Sequence, residues 1–248
     1  MSGETTPLGR RERKRVVTRS AIFEAARALF YEHPFEAVTV QQIADRCDLA
    51  VGTLFYHAPT KTEMFLMVYN LTLEQAIAEG ERSESALPPE ASAPARVMAL
   101  ALPIARLADS PQAENLTRYH RDLLFGDAMG PHRREGIALV RRLEGDIARA
   151  LCSTVDCDPG NQLADRAARA VFAALHFHIA APRTEPGAQA GSIDEGEPLL
   201  AAQVEIIVRG FTAKFEEDSL VVDATGNVLA PHSSHAAHHH DSPHEKGS

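Results

Sequence analysis

In the stretch VGTLFYH, Val51 to His57, the side chains equipped for chemistry are Thr53, Tyr56 and His57. Two hydroxyls and an imidazole can donate and accept hydrogen bonds, Gly52 admits a close backbone approach, and Val51 presents methyl groups. Neither Arg, Asn nor Gln joins them on this face, so strong bidentate contacts with base edges are missing. What remains is recognition by hydroxyl bonds, by apolar contact of the kind Val51 makes with a thymine methyl, and by the shape of the surface met. The competing reading makes VGTLFYH a buried amphipathic turn.

The elements needed to present these residues lie around them. Val40 to Lys61, VQQIADRCDLAVGTLFYHAPTK, reads as two short helices joined by a turn and followed by the start of a third. Val40, Ile43 and Cys47 on the first helix, and Leu54 and Phe55 on the second, fall where crossing helices need apolar groups. Ala44 is small at the closest approach, and Leu49 plugs the turn. This is a helix-turn-helix, which lays its second helix in a DNA major groove. Thr39 with Gln42 three residues on forms a capping box, so the first helix begins at Val40. Its free amides make Thr39 a phosphate-contacting position. Lys61, after Pro59 and Thr60, is a second phosphate candidate; as the alternative, it is a solvated lysine.

Residues from about Arg19 to Met67 resemble the TetR family of bacterial regulators. The resemblance rests on IFEAARALFYE (Ile22 to Glu32), Phe35, Thr39-Val40, Ile43-Ala44, Gly52-Thr53-Leu54, Phe55-Tyr56, His57 and Lys61. It implies that Thr53, Tyr56, His57 and Lys61 hold DNA-contacting positions, with Tyr56 and His57 against the phosphate backbone. It further implies a homodimer on a roughly palindromic operator, repression as the default, and central helices enclosing a small-molecule effector. Four positions depart from the family pattern: Pro34 and Asp48 replace glycines, Ala50 replaces the serine that caps the second helix, and Ala58 replaces an aromatic residue. Asp48 tolerates a left-handed backbone at modest cost, whereas Ala50 cannot cap.

The charge distribution agrees. The chain of 248 residues carries a net charge of −9, which looks wrong for a DNA binder until it is divided. Residues 1 to 20 hold six basic and two acidic side chains, net +4, and residues 1 to 67 hold nine basic and eight acidic, net +1. The remainder therefore carries about −10, and the positive charge sits beside the reading helix. Residues 1–15, with RRERKR, read as a flexible basic arm that either enters a minor groove or stays solvated. At 44% hydrophobic residues the chain can bury a sizeable core. No apolar run is long enough for a membrane span, and no secretory signal opens the chain. The three cysteines argue against a disulfide scaffold and for a reducing compartment, the cytoplasm.

The rest reads as helices: about Thr62 to Gly80, one with Val97 to Leu107 on its apolar face and a kink at Pro103, Asn115 to Leu124, Pro131 to Leu151, 162 to 181, and Pro198 to Glu217. Ser83 to Ala95 and Ala181 to Glu197 read as loops. No strand pattern of useful length appears, and VVDATGNVLA is too isolated for a sheet. The expected fold is all-α: an N-terminal helix-turn-helix three-helix DNA-binding domain (16–67) plus a C-terminal helical ligand-binding and dimerisation domain (68–217), then a His-rich tail (218–248).

Val171, Phe172, Leu175, Val204, Ile207, Val208 and Phe211 are read as the dimer interface, or else as intrachain core. Tyr119, His120, Arg121, Phe125, Phe172 and His176 are candidate effector contacts, with hydrogen-bonded core histidines as the alternative for His120 and His176. Cys152 and Cys157 are incidental, or a redox switch. The histidines at 232, 235, 238, 239, 240 and 244 form a solvated tail, or a weak metal-binding tract. No cofactor, metal ligand set or catalytic residue is expected: Gly-rich phosphate loops, GxSxG and HExxH are all missing. The reading is thus a DNA-binding regulator with double-stranded DNA, a small molecule and a second copy as partners. An enzyme, and an architectural or recombination protein, remain the different-class alternatives.

Overall fold

The computed structural model describes residues 9–126, 129–155, 157–158, 160–180, 193–219, 221–222 and 228–229. The helices are α1 (Arg10–Glu32), α2 (Val40–Arg46), α3 (Val51–His57), α4 (Lys61–Ser85), α5 (Ala93–Ala105), α6 (Ala113–Phe125), α7 (Pro131–Val155), α8 (Gln162–Ala180) and α9 (Ile193–Ser219). Short 3-10 turns at Phe35–Ala37 and Arg106–Asp109 punctuate them. The fold is all-α apart from one minimal antiparallel pair, Val221–Val222 (β1) with Val228–Leu229 (β2), where no sheet was expected. The isolated segment pairs with itself, which sequence alternation does not reveal over two residues. Among the described residues no helix is long and apolar enough to cross a membrane.

Helix α4 ties the molecule together. It packs on α1, α5, α6 and α7. Phe65 meets Phe30 and Phe35 edge to face and Tyr69 at a tilt at the junction, with Tyr119 of α6 5.9 Å beyond Tyr69. Close helix approaches need small residues: a Cβ at Gly80 would lie 2.6 Å from the Leu100 carbonyl, and one at Gly136 2.6 Å from Asn70 Oδ1. Apolar burial of this kind, at roughly 25 cal/mol per Å², dominates the stabilisation.

Several expectations change. Residues 10–15, read as part of a flexible arm, continue α1; Gly9 stands at its start, and no Gly or Pro interrupts the run before Pro34. Helix α4 runs to Ser85 rather than Gly80, and α9 reaches back to Ile193 with Pro198 inside it. The residues read as the dimer interface are mostly intrachain core. Val171, Leu175, Val204, Val208 and Phe211 are buried, and Phe172 and Ile207 are half-buried, because α8 and α9 turn these faces toward the molecule.

Cys152 and Cys157, read as incidental or as a redox switch, form a disulfide that closes the end of α7. Cysteine number does not register a pair five residues apart brought together where a helix ends. Residues 230–248, which hold the tail's histidines, the 181–192 part of the expected loop and the first eight residues of the arm lie outside the described residues.

Candidate nucleic-acid interface

The helix-turn-helix forms as its sequence dictates. Thr39 Oγ1 accepts from the Gln42 amide at 3.2 Å, and Gln42 Oε1 accepts from the Thr39 amide at 2.7 Å, completing the capping box. Asp48 takes φ +52° in the turn, the left-handed position where the family carries glycine. Leu49 packs against the core, and Cys47 Sγ donates to the Ile43 carbonyl at 3.1 Å while half-buried. Ala50 leaves α3 without a side-chain cap, as its methyl must.

Helix α3 is held from one side only. Leu54 is fully buried and Ala58 closes the contact behind it. Gly52, Thr53, Phe55 and Tyr56 are exposed, with Val51 and His57 at the margin. Tyr56 is 77% exposed. Phe55, assigned above to the buried side, is exposed: it stands about 100° around the helix from Leu54, and a seven-residue helix has one buried face. It therefore adds an aromatic, apolar group to the exposed face of α3. The His57 ring, 5.3 Å from that of Tyr56, is held below the ordinary histidine range by burial and then by the Arg15 and Arg19 guanidiniums.

Lys61 opens α4 beside the Thr60 cap, whose Oγ1 accepts from the Glu63 amide at 3.0 Å. Its ammonium lies 4.0 Å from the centre of the Phe35 ring, with Arg118 on the same ring at 3.7 Å. Burial lowers the Lys61 pKa; Glu36 opposes this and Arg118 adds to it. Lys61 is thus a positioned cation rather than a freely solvated one.

Five of the six candidate effector residues are joined in one chain of rings. Tyr119 meets His120 at 5.4 Å, His120 meets His176 at 5.5 Å, and His176 meets Phe125 and Phe172 at 6.1 and 6.2 Å. Arg121 stands apart, exposed and 3.6 Å from Asp122. The Tyr119 hydroxyl donates to Asn70 Oδ1 at 2.8 Å, so it presents only its ring to His120. Both nitrogens of buried His120 and Nδ1 of His176 have no hydrogen-bond partner, and burial with the neighbouring His176 pushes the His120 pKa down to about 3. Among the described residues no group of three or more His, Cys, Asp or Glu is placed to hold a metal.

Sequence reasoning missed a buried polar layer between the reading head and the helical domain. Asn115 of α6 donates to the Phe30 and His33 carbonyls at 2.7 and 3.0 Å and accepts from the Phe35 amide at 2.8 Å. Glu63 accepts from the His132 amide, and Asn70 donates to the His132 carbonyl, both at 2.8 Å. Nothing local in the sequence marks these residues, since each bond spans more than sixty positions.

Residues 22–68, which include all of α2 and α3, match the model of the bacterial regulatory proteins of the tetR family. This segment is similar to the DNA-binding region of that family. Solved structures share the fold over most of the chain. A TetR transcriptional regulator from Rhodococcus sp. RHA1 aligns with a TM-score of 0.55 and 16% identity over 78% of this chain and 97% of its own. A TetR-family regulator from Streptomyces coelicolor aligns at 0.54 and 18%, over 79% and 96%. The TetR family repressor AlkX from Dietzia sp., implicated in biodegradation of n-alkanes, aligns at 0.52 and 16%, over 79% and 95%. At these identities the likeness is one of fold. No curated protein matches the chain. The matched segment supports a DNA-binding regulator, with α3 as the second helix of its helix-turn-helix.

Proposed function

We propose that this TetR-family protein is a ligand-responsive repressor acting in the cytoplasm, and that it binds a palindromic operator as a homodimer. The observation that carries the reading is the one-sided burial of α3: Leu54 locks it to the core while Gly52, Thr53, Phe55 and Tyr56 stay exposed. In this reading Val51, Gly52, Thr53 and Phe55 meet base edges. Thr39, Tyr56, His57 and Lys61 meet phosphates. The AlkX relative is a repressor, which supports that sign of regulation here.

The second copy docks on the outer face of α8 and α9. Phe177, Leu199 and Ile206 are 69%, 59% and 71% exposed, although the same helices already bury a full apolar side within the chain. Exposed apolar groups on two adjacent long helices are the makings of a four-helix interface. The effector occupies the space beside Tyr119, His120, Phe125, Phe172 and His176, and shifts the equilibrium between two separations of the reading heads.

Replacing Ile206 by Glu tests the dimer. Sedimentation should find the unaltered protein dimeric and the variant monomeric, with unchanged helix content and weaker DNA binding. An unaltered protein that is monomeric at micromolar concentration contradicts the proposal.

A further inference from the structure

The cleft between the reading head and the helical domain carries groups that the helix-turn-helix does not account for. About 360 Å³ in volume, it is lined by Arg15 and Arg19 of α1, Tyr56 and His57 of α3, and His132 and Glu135 of α7. Two of its residues, Tyr56 and His57, belong to the DNA-facing set, and two more are exposed arginines one helical turn apart. Arg19 reaches Glu135 Oε1 at 3.7 Å, with both side chains more than half exposed. The other Glu135 oxygen meets His132 Nδ1 at 2.7 Å.

We infer that Arg15 and Arg19, with Tyr56 and His57, form a binding site for a DNA backbone phosphate, and that Glu135 of the helical domain competes with that phosphate for Arg19. The inference rests on the DNA-binding reading and adds residues of α1 and α7 to it. Two guanidiniums close enough to hold down the His57 pKa, next to a tyrosine hydroxyl, supply charge and directed donors to one anion. The duplex supplies that anion to a surface already facing it.

Glu135 makes the site conditional. An ion pair this exposed changes an equilibrium by at most about fivefold, so a phosphate can displace it. Its position is not free, however. The His132 backbone is held to α4 on both sides, through Glu63 and Asn70. These bonds fix the start of α7, and with it Glu135, against α4 and within reach of Arg19.

The test is the salt dependence of binding to a random-sequence DNA duplex of about 40 base pairs, between about 50 and 200 mM KCl. Arg15→Ala and Arg19→Ala should each lower the slope of log K against log salt by about 1. Arg27→Ala, on the same helix but paired with Glu24, should leave it unchanged. Glu135→Gln should tighten binding by up to about fivefold, and should have no effect in the Arg19→Ala background. Unchanged slopes in both arginine variants overturn the inference. So does an equal loss in Arg27→Ala, or a Glu135→Gln gain that persists without Arg19, since each would reflect net charge alone. An unaltered protein that binds no duplex would instead defeat the DNA-binding reading itself.

Discussion

His120 is the residue whose surroundings make the sharpest demand. Its imidazole is buried against Tyr119 and His176, with no partner at either nitrogen, and its pKa falls to about 3 against an ordinary 6.5. The unfolded chain takes up this proton below about pH 6.5, while the folded chain refuses it until about pH 3. Stability is therefore lost as the pH falls through that window. Between pH 7 and pH 5 the loss is about 2 kcal/mol. Urea unfolding at the two pH values should show a pH-dependent drop that His120→Leu reduces by about that amount. An equal drop in both proteins would mean that the ring finds a partner. Such a group is also what an effector with a hydroxyl could satisfy, which keeps His120 among the proposed contacts although Arg121 lies outside the cluster.

At the scale of elements, the helix-turn-helix was legible because its signals are local. The Thr39–Gln42 box, the small Ala44, and an Asp48 fit for positive φ all act within a few residues. Phe55 was misplaced because periodicity over seven residues cannot separate a buried neighbour of Leu54 from an exposed one. The same limit affected α8 and α9, whose two apolar sides are indistinguishable by spacing: Val204 and Val208 face inward, while Ile206 faces out. The polar layer was invisible because its bonds join distant elements. Asn115 is its clearest member, closing the end of α1 with three hydrogen bonds. Asn115→Leu should cost about 3 kcal/mol in urea unfolding, since it strands the His33 carbonyl and the Phe35 amide at the junction, while the Phe30 carbonyl keeps the Tyr69 hydroxyl. A loss below about 1 kcal/mol would show that water replaces the side chain there.

Across the whole molecule, charge and shape are arranged around α4. Positive charge concentrates beside α3, the acidic excess lies in the remainder of the chain, and the exposed apolar residues Phe177, Leu199 and Ile206 sit on the last two helices. One α3 alone buries too little surface to select a site. Two related by a dyad select a symmetric one, and this is how dimeric helix-turn-helix proteins gain specificity. The family and the fold were readable from about fifty residues. The exposed apolar side of α8 and α9 became visible only once intrachain packing had claimed the residues that sequence alone assigned to a dimer interface. The measurement that tests the account most directly is sequencing of the genomic fragments retained by the purified protein at near-physiological salt. The account predicts enrichment of a twofold-symmetric motif whose half-sites lie whole helical turns apart. A folded protein that enriches no motif, or only a single asymmetric half-site, would contradict it.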